Sequence, residues 1–471
     1  MNAVIIGAGP AGLAAAHELS RHGAGVTVLE RLDGVGGLAR TLRHDGCRFD
    51  IGPHRFYTKN AEVGQLFTDV LRDAVVPVER LTRILYRNRL FDYPLTPVNA
   101  LRGVGVGAAA AMAGSYAWAR TRARLAPREP VTFEDWVAAQ FGWRLYRTFF
   151  KTYTEKVWGI PCAEIGAEWA VQRIKGLNLG VAIARALAPG RGPRVKTLVD
   201  RFLYPRHGTG QLYEGLRAMV EARGGVVRTG WRASRITREG SRIRSVVGRT
   251  GEGREQELEA NVFLSSASIT DTIAMIEPGA PEEVRRAAAA LRYRDHIGVH
   301  LVLEGEAFPD QWIYVHAPEL RMARVTNHRR FSRAMAGDGD VTPVTVEYFV
   351  TPGDELARES DAALVELASA ELARSGLARR ERLRSAFVVR SPQAYPVIDL
   401  GSTRQVDVMK RWMDTLTNLL PIGRSGMFKY NNQDHAIATG LLAARTFLGL
   451  GRFDPWRVNI DAEYLEDGPA V

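Results

Sequence analysis

The sequence predicts an α/β fold in which a Rossmann-like dinucleotide-binding domain carries a mainly helical domain and an antiparallel β-sheet domain. Three observations predict it. An apolar run, Ala3 to Ile6, meets the glycine turn Gly7-Ala8-Gly9-Pro10-Ala11-Gly12 and then a helical pattern, all within the first twenty residues. From Pro97 to about Arg194 apolar residues recur at the helical period. Residues 297–350 are instead rich in short strand patterns.

In the first element, Asn2 to Ile6 reads as a buried parallel strand. Gly7 supplies the tight turn, Gly9 admits a pyrophosphate against the backbone, and Gly12 lets the helix pack close to the strand. The helix N-terminus offers its free N–H groups to the phosphates. A second strand, Gly25 to Leu29, ends at Glu30, about twenty residues beyond the glycines, where a carboxylate binds an unphosphorylated ribose as in FAD or NAD. Gly34-Val35-Gly36-Gly37 follows. The double cluster resembles the FAD-binding signature of the glutathione-reductase and amine-oxidase group of flavoproteins, which implies FAD held by Gly7, Gly9, Gly12, Glu30, Gly36 and Gly37.

Composition narrows the partners. The chain has 471 residues, room for two or three domains. Two cysteines, Cys47 and Cys162, are too few for a disulfide framework or a zinc site, and no metal is expected. With a first strand beginning at residue 2 there is no room for a signal peptide, so the expected location is cytoplasmic. The formal charge of +11, mostly arginine, favours anionic partners. No nucleic-acid-binding motif accompanies it, and arginine suits phosphate recognition in a pocket. The small-residue stretch Val104 to Ala119 is short for a membrane span and reads as a buried helix, so no integral membrane association is expected.

Further along the chain, Gly52-Pro53 makes a tight turn before His54, which serves either a flavin and its substrate or the loop's own carbonyls. Arg83 to Tyr93 alternates like a hairpin around Arg87-Asn88. The aromatic and basic cluster Phe149 to Gly159 fits a core or a ligand wall, and 186–196 reads as a Gly/Pro loop. An amphipathic helix is expected at 211–223, a strand at 225–229 and a hairpin at 235–247; Phe263 to Ala267 returns the chain to the dinucleotide domain. Helices at about 354–374 and 404–417 flank a strand at 383–389. Finally Gly423 to Asp434 precedes a helix from His435 to Leu448, with Asp434 as its N-cap and its free N–H groups turned to a flavin carbonyl.

These motifs, in this order, resemble the UDP-galactopyranose mutase family, itself related to the amine-oxidase flavoproteins. Gly52-Pro53-His54-Arg55-Phe56-Tyr57-Thr58 is similar to the family's GPHxFHT, with Tyr57 in place of a histidine. Tyr153 to Gly159 resembles YTxKQWG, Ala323-Arg324-Val325 its TRI segment, and Tyr395-Pro396 its YP pair. Gly423 to Asp434 aligns without gaps on GRLGxYxYxxMD, keeping Arg424 and Tyr430. Arg173-Ile174-Lys175 loosely resembles the family's mobile-loop arginine motif.

The resemblance implies a pyranose–furanose mutase acting on a nucleotide-diphosphate sugar, with N5 of reduced FAD as the nucleophile at the anomeric carbon. Arg324 and Arg424 would then carry the charge of the departing diphosphate, Tyr153, Tyr395 and Tyr430 would hydrogen-bond it, and Trp158 and Arg173 would hold the nucleotide end. His54 would lie near flavin and sugar, with Gly423 and Asp434 on the flavin side. NAD(P)H or another reductant would charge the flavin, and an oligomer is compatible with the sequence. The alternative is an FAD-dependent oxidase or dehydrogenase of the amine-oxidase or protoporphyrinogen-oxidase type, taking hydride from an apolar or amine substrate. The expected domains are 1–60, 195–270 and 385–471 for FAD, 61–194 for the helical domain and 271–384 for the sheet.

Overall fold

The computed structural model describes residues 1–93, 103–167, 169 and 201–459; Arg173 and the 186–196 loop lie outside them. Five parallel strands form the dinucleotide sheet, in the order Leu419–Pro421, Val262–Ser265, Asn2–Ile6, Gly25–Leu29, Val226–Arg228. Strand order reverses beside Asn2–Ile6, and a crevice opens at the carboxyl ends of such strands. Helix Pro10–Arg21 buries every residue from Ala11 to Ser20. It packs against the C-terminal helix Gln433–Phe447 at backbone distance: a Cβ on Gly440 would stand 2.1 Å from the Ala11 carbonyl oxygen. That contact carries the Gly423–Asp434 loop to the first glycine turn.

Seven strands form the second large sheet, in the order Leu383–Pro396, Tyr293–Glu304, Val341–Val350, Arg324–Asn327, Trp312–Val315, Thr82–Tyr86, Arg89–Asp92. Its pairs are antiparallel except Trp312–Val315 with Thr82–Tyr86. The expected hairpin is there, turning at Arg87 and Asn88 with φ of 50° and 54°, the left-handed pair that matches strand twist. The hairpin hydrogen-bonds into the sheet rather than standing among helices, and strand Leu383–Pro396 pairs with Tyr293–Glu304 rather than in the FAD sheet.

Side chains alternate across this sheet and divide its two duties. Val344, Val346, Tyr348 and Val350, with Ile297, Val299 and Leu301, pack on Leu364, Ala368 and Leu372 of helix Asp361–Arg374. The opposite face turns Thr345, Glu347, His296 and His300 inward, all buried. Polar groups so placed have to be partnered, and Glu347 is held by Arg324 and His296.

Helix Thr152–Trp158 is fastened to the sheet by two cations, Arg294, which donates to the carbonyls of Val157 (3.2 Å) and Lys156 (3.1 Å), and Lys156. Lys156 Nζ donates to the carbonyls of Ala317 (2.6 Å), Val315 (3.2 Å) and Met322 (3.3 Å). The helix Val106–Leu125 corrects an expectation: of its described side chains only Ala119 is buried, while most of the rest are exposed. Alanine and glycine give no apolar period, so the sequence does not distinguish a buried helix from an exposed one there. No described helix is long and apolar enough to cross a membrane.

Candidate active site

One cavity of about 900 Å³ joins the two sheets. At one end its wall is the glycine turn. A Cβ on Gly12 would lie 1.9 Å from the Gly7 carbonyl oxygen, so no larger residue fits between helix and strand. The second glycine cluster meets the first, with a Cβ on Gly37 reaching 3.3 Å from Gly9 Cα. Helix Pro10–Arg21 starts from Gly9 with no side-chain cap, leaving its first N–H groups to a ligand. Glu30, 5% exposed, accepts from the N–H of Ala8 (2.8 Å) and of Leu32 (3.0 Å) and keeps a second lone pair on each oxygen for ribose hydroxyls. Diphosphate on the turn and ribose on Glu30 are what FAD requires, and these residues fit it.

At the far end the wall is His54, Arg324, Tyr395, Arg424 and Tyr430. Arg324 forks onto Glu347, Nε to Oε1 at 2.7 Å and Nη2 to Oε2 at 2.5 Å, leaving Nη1 outside the fork. Burial pushes the Glu347 carboxyl up, but the charge and hydrogen bonds of Arg324 outweigh it and hold the pKa down to about 2. Arg424 is different. It lies over the rings of Tyr395 (5.0 Å) and Tyr430 (5.1 Å), donates from Nε to the Asn431 carbonyl (2.8 Å), and has no carboxylate partner among the described residues. The pair Arg324–Glu347 is electrically balanced; Arg424 is not.

Burial, then Arg424 and Arg324, push the His54 pKa down to about 4, so the imidazole is neutral at pH 7. Its Nδ1 is buried and has no hydrogen-bond partner among the described residues. Burial also pushes the Tyr153 and Tyr395 phenols up, so both stay protonated donors.

The structure thus brings Gly7, Gly9, Glu30, Gly37, His54, Arg324, Tyr395, Gly423, Arg424, Tyr430 and Asp434 to one cavity, with Gly12 and Gly36 shaping the turns behind it. Trp158, 3% exposed, is not in the wall; it packs behind it on Tyr430 (ring centroids 5.5 Å) and Tyr395 (6.5 Å). Tyr153 stacks on His316 (4.8 Å) and backs Tyr314, which does line the cavity. Apolar burial of large rings wins there over ligand contact. The cap of the C-terminal helix is Asn432, whose N–H reaches His435 Nδ1 (3.2 Å); Asp434 sits inside the first turn. Arg173 lies outside the described residues. Glu347 escaped the sequence reading, though it is the single acid in the otherwise uncharged run Val341–Val350, a pattern that signals a buried ion pair.

Gly12→Ala is expected to purify colourless or with a small fraction of its flavin, because helix and strand must part to admit the methyl group. Absorbance at the flavin band per mole of protein measures this, and a fully loaded Gly12→Ala protein would refute the packing argument.

Comparison with known proteins agrees with this geometry. The sequence profile of the flavin-containing amine oxidoreductase family matches residues 10–406. A "Probable UDP-galactopyranose mutase" of Klebsiella pneumoniae is 28% identical over 177 residues, 35% of this chain and 43% of that protein. A phytoene dehydrogenase of Streptomyces griseus is 29% identical over 279 residues, 52% of this chain and 50% of that one. The matched stretch spans half or less of either relative. Among solved structures, a reduced UDP-galactopyranose mutase shares the fold with a TM-score of 0.83, 21% identity and coverage of 97% of this chain and 98% of that one. A putrescine oxidase shares it with a TM-score of 0.64, 15% identity and coverage of 95% and 99%. With the profile running through most of its length and a cavity built for the dinucleotide, the chain belongs to the flavin-containing amine oxidoreductases and is an FAD-dependent enzyme of that family.

Proposed function

We propose that this enzyme is a pyranose–furanose mutase for a nucleotide-diphosphate sugar, working with reduced FAD. The observation that carries the reading is Arg424, a guanidinium lying over two neighbouring tyrosine rings in the cavity and left without a carboxylate among the described residues. Such a group is stabilised by an anionic ligand, and a diphosphate offers the bidentate geometry that arginine prefers. The similarity to the Klebsiella protein and to the reduced mutase structure supports the same reading.

Bound in the cavity, reduced FAD supplies a nucleophilic ring nitrogen. The chain's own residues handle charge and position. Arg424, helped by Nη1 of Arg324, holds the diphosphate as it gains charge on leaving the anomeric carbon. The protonated phenol of Tyr395, with Tyr430 beside it, donates to phosphate oxygens, and neutral His54 stands in the same wall beside the flavin and the sugar. Trp158 and Tyr153 set the tyrosine rings from behind. Arg173 is proposed as a further ligand of the nucleotide end.

The test is to reduce the holoenzyme anaerobically with dithionite, add a panel of nucleotide-diphosphate sugars carrying oxygen-18 in the anomeric C–O bond, and follow products and label. Expected are a new sugar nucleotide of unchanged mass and spread of the label into non-bridging diphosphate positions, neither occurring with oxidised enzyme. The second reading, an oxidase or dehydrogenase, is favoured by the phytoene dehydrogenase similarity. Oxygen consumption or reduction of the flavin by an apolar or amine substrate, with no label movement in the panel, would establish it instead.

A further inference from the structure

The helix Val106–Leu125 presents an outward face that the other described residues leave bare. Gly107, Ala110, Gly114, Trp118, Thr121 and Leu125 recur at helical spacing and are all exposed, Trp118 at 67% and Leu125 at 81%. The opposite face is engaged: Met112 packs on the cluster of Ile84, Phe91 and Phe149, and Ser115 Oγ accepts from the Arg144 N–H at 3.2 Å. An exposed tryptophan and leucine on one uncharged face are unusual for a surface in contact with water alone.

Charge then selects the occupant. From residue 103 to residue 128 the sequence has four arginines and no acid. Arg120 donates to the neutral Gln140 side chain (3.2 Å), and no ion pair engages Arg120, Arg122, Arg124 or Arg128 among the described residues. Elsewhere on this chain exposed arginines are commonly paired, as in Arg201–Glu79 and Arg285–Glu282. We propose that this helix docks the enzyme on an anionic lipid surface. The Gly/Ala face lies flat on the headgroup boundary, Trp118 and Leu125 dip into it, and the arginines flanking that face reach lipid phosphates. The helix rests on the membrane and does not cross it; its face is too poor in large apolar groups to hold without the charges.

The experiment is co-sedimentation of FAD-loaded protein with vesicles of phosphatidylcholine alone or with about a third phosphatidylglycerol, across a salt series. Binding to the anionic vesicles at low salt, fading as salt rises, is expected, with little binding to the neutral ones. The triple variant R120Q/R122Q/R124Q should partition about a hundredfold less, roughly fivefold per arginine. Trp118→Ser should weaken binding at every salt concentration. Unchanged flavin content and circular dichroism show that both variants are folded. Equal binding to neutral and anionic vesicles, or no loss in either variant, would overturn the proposal. So would a concentration-dependent dimer in sedimentation velocity that Trp118→Ser abolishes, since the face would then belong to a second copy.

Discussion

Replacing Arg424 by alanine is expected to weaken binding of a nucleoside diphosphate such as UDP by about a hundredfold or more, equivalent to about 3 kcal/mol, with FAD content unchanged. The size follows from charge balance at the far end of the cavity. Arg324 brings a positive charge that Glu347 already cancels through two hydrogen bonds, so its approach to an anion adds mainly the donor Nη1. Arg424 brings a whole charge, laid against Tyr395 and Tyr430 and opposed by no carboxylate among the described residues. Lysine at 424 keeps the charge but loses the planar stacking and the Nε hydrogen bond to Asn431, so Arg424→Lys should recover only part of the affinity. Titration of UDP against the flavin spectrum measures both variants. A UDP affinity unmoved by Arg424→Ala would remove the main support for a nucleotide-sugar substrate.

The dinucleotide half of this site is legible in the sequence because its chemistry is local. Gly7, Gly9 and Gly12 shape one turn, Glu30 ends the next strand, and both are readable from spacing alone. The hairpin at Arg87-Asn88 is equally local. The substrate half depends on contacts across hundreds of residues. Nothing in the spacing of Arg324 and Glu347 tells that the first is neutralised by the second; that follows from the antiparallel register of Arg324–Asn327 on Val341–Val350, which sets the two residues opposite each other. The burial of Trp158 behind Tyr395 and Tyr430 is a packing outcome of the same kind, since one aromatic composition serves a core or a ligand wall. The exposure of helix Val106–Leu125 is not legible because small residues carry no periodic signal.

Acid is expected to unfold this protein unusually early, with stability draining from pH 6.5 and largely spent by about pH 4.5. His17, His316 and His328 are all buried, and burial lowers their pKa values to about 4, about 3 and about 3, with Arg223 adding to the effect at His17 and Lys156 at His316. Each folded value lies below the ordinary 6.5, so the unfolded chain takes up the proton first. Stability is therefore intact above 6.5 and falls as pH drops toward the folded values. At pH 4.5 each histidine has cost on the order of 2 to 3 kcal/mol, so that together they reach the scale of the whole stability of a typical domain. Glu347 works in the opposite window: its carboxyl, held down to about 2, stabilises the fold above the ordinary carboxylate pKa and would give this up only below it. The histidines exhaust the stability first, so the Glu347 contribution has to be read at neutral pH. There Glu347→Gln should cost about 3 kcal/mol by leaving Arg324 buried without its counter-charge. For the histidines the informative variant is His316→Phe, which keeps the stack on Tyr153 and removes a ring whose Nδ1 has no partner. Urea unfolding at pH 7, 6 and 5 should show a steep loss in the parent and a smaller one in His316→Phe, since His54 and His300 are held down by burial too. Equal stability at pH 7 and pH 5 would mean that these rings are already charged in the fold, or reached by water, and the burial argument would fall.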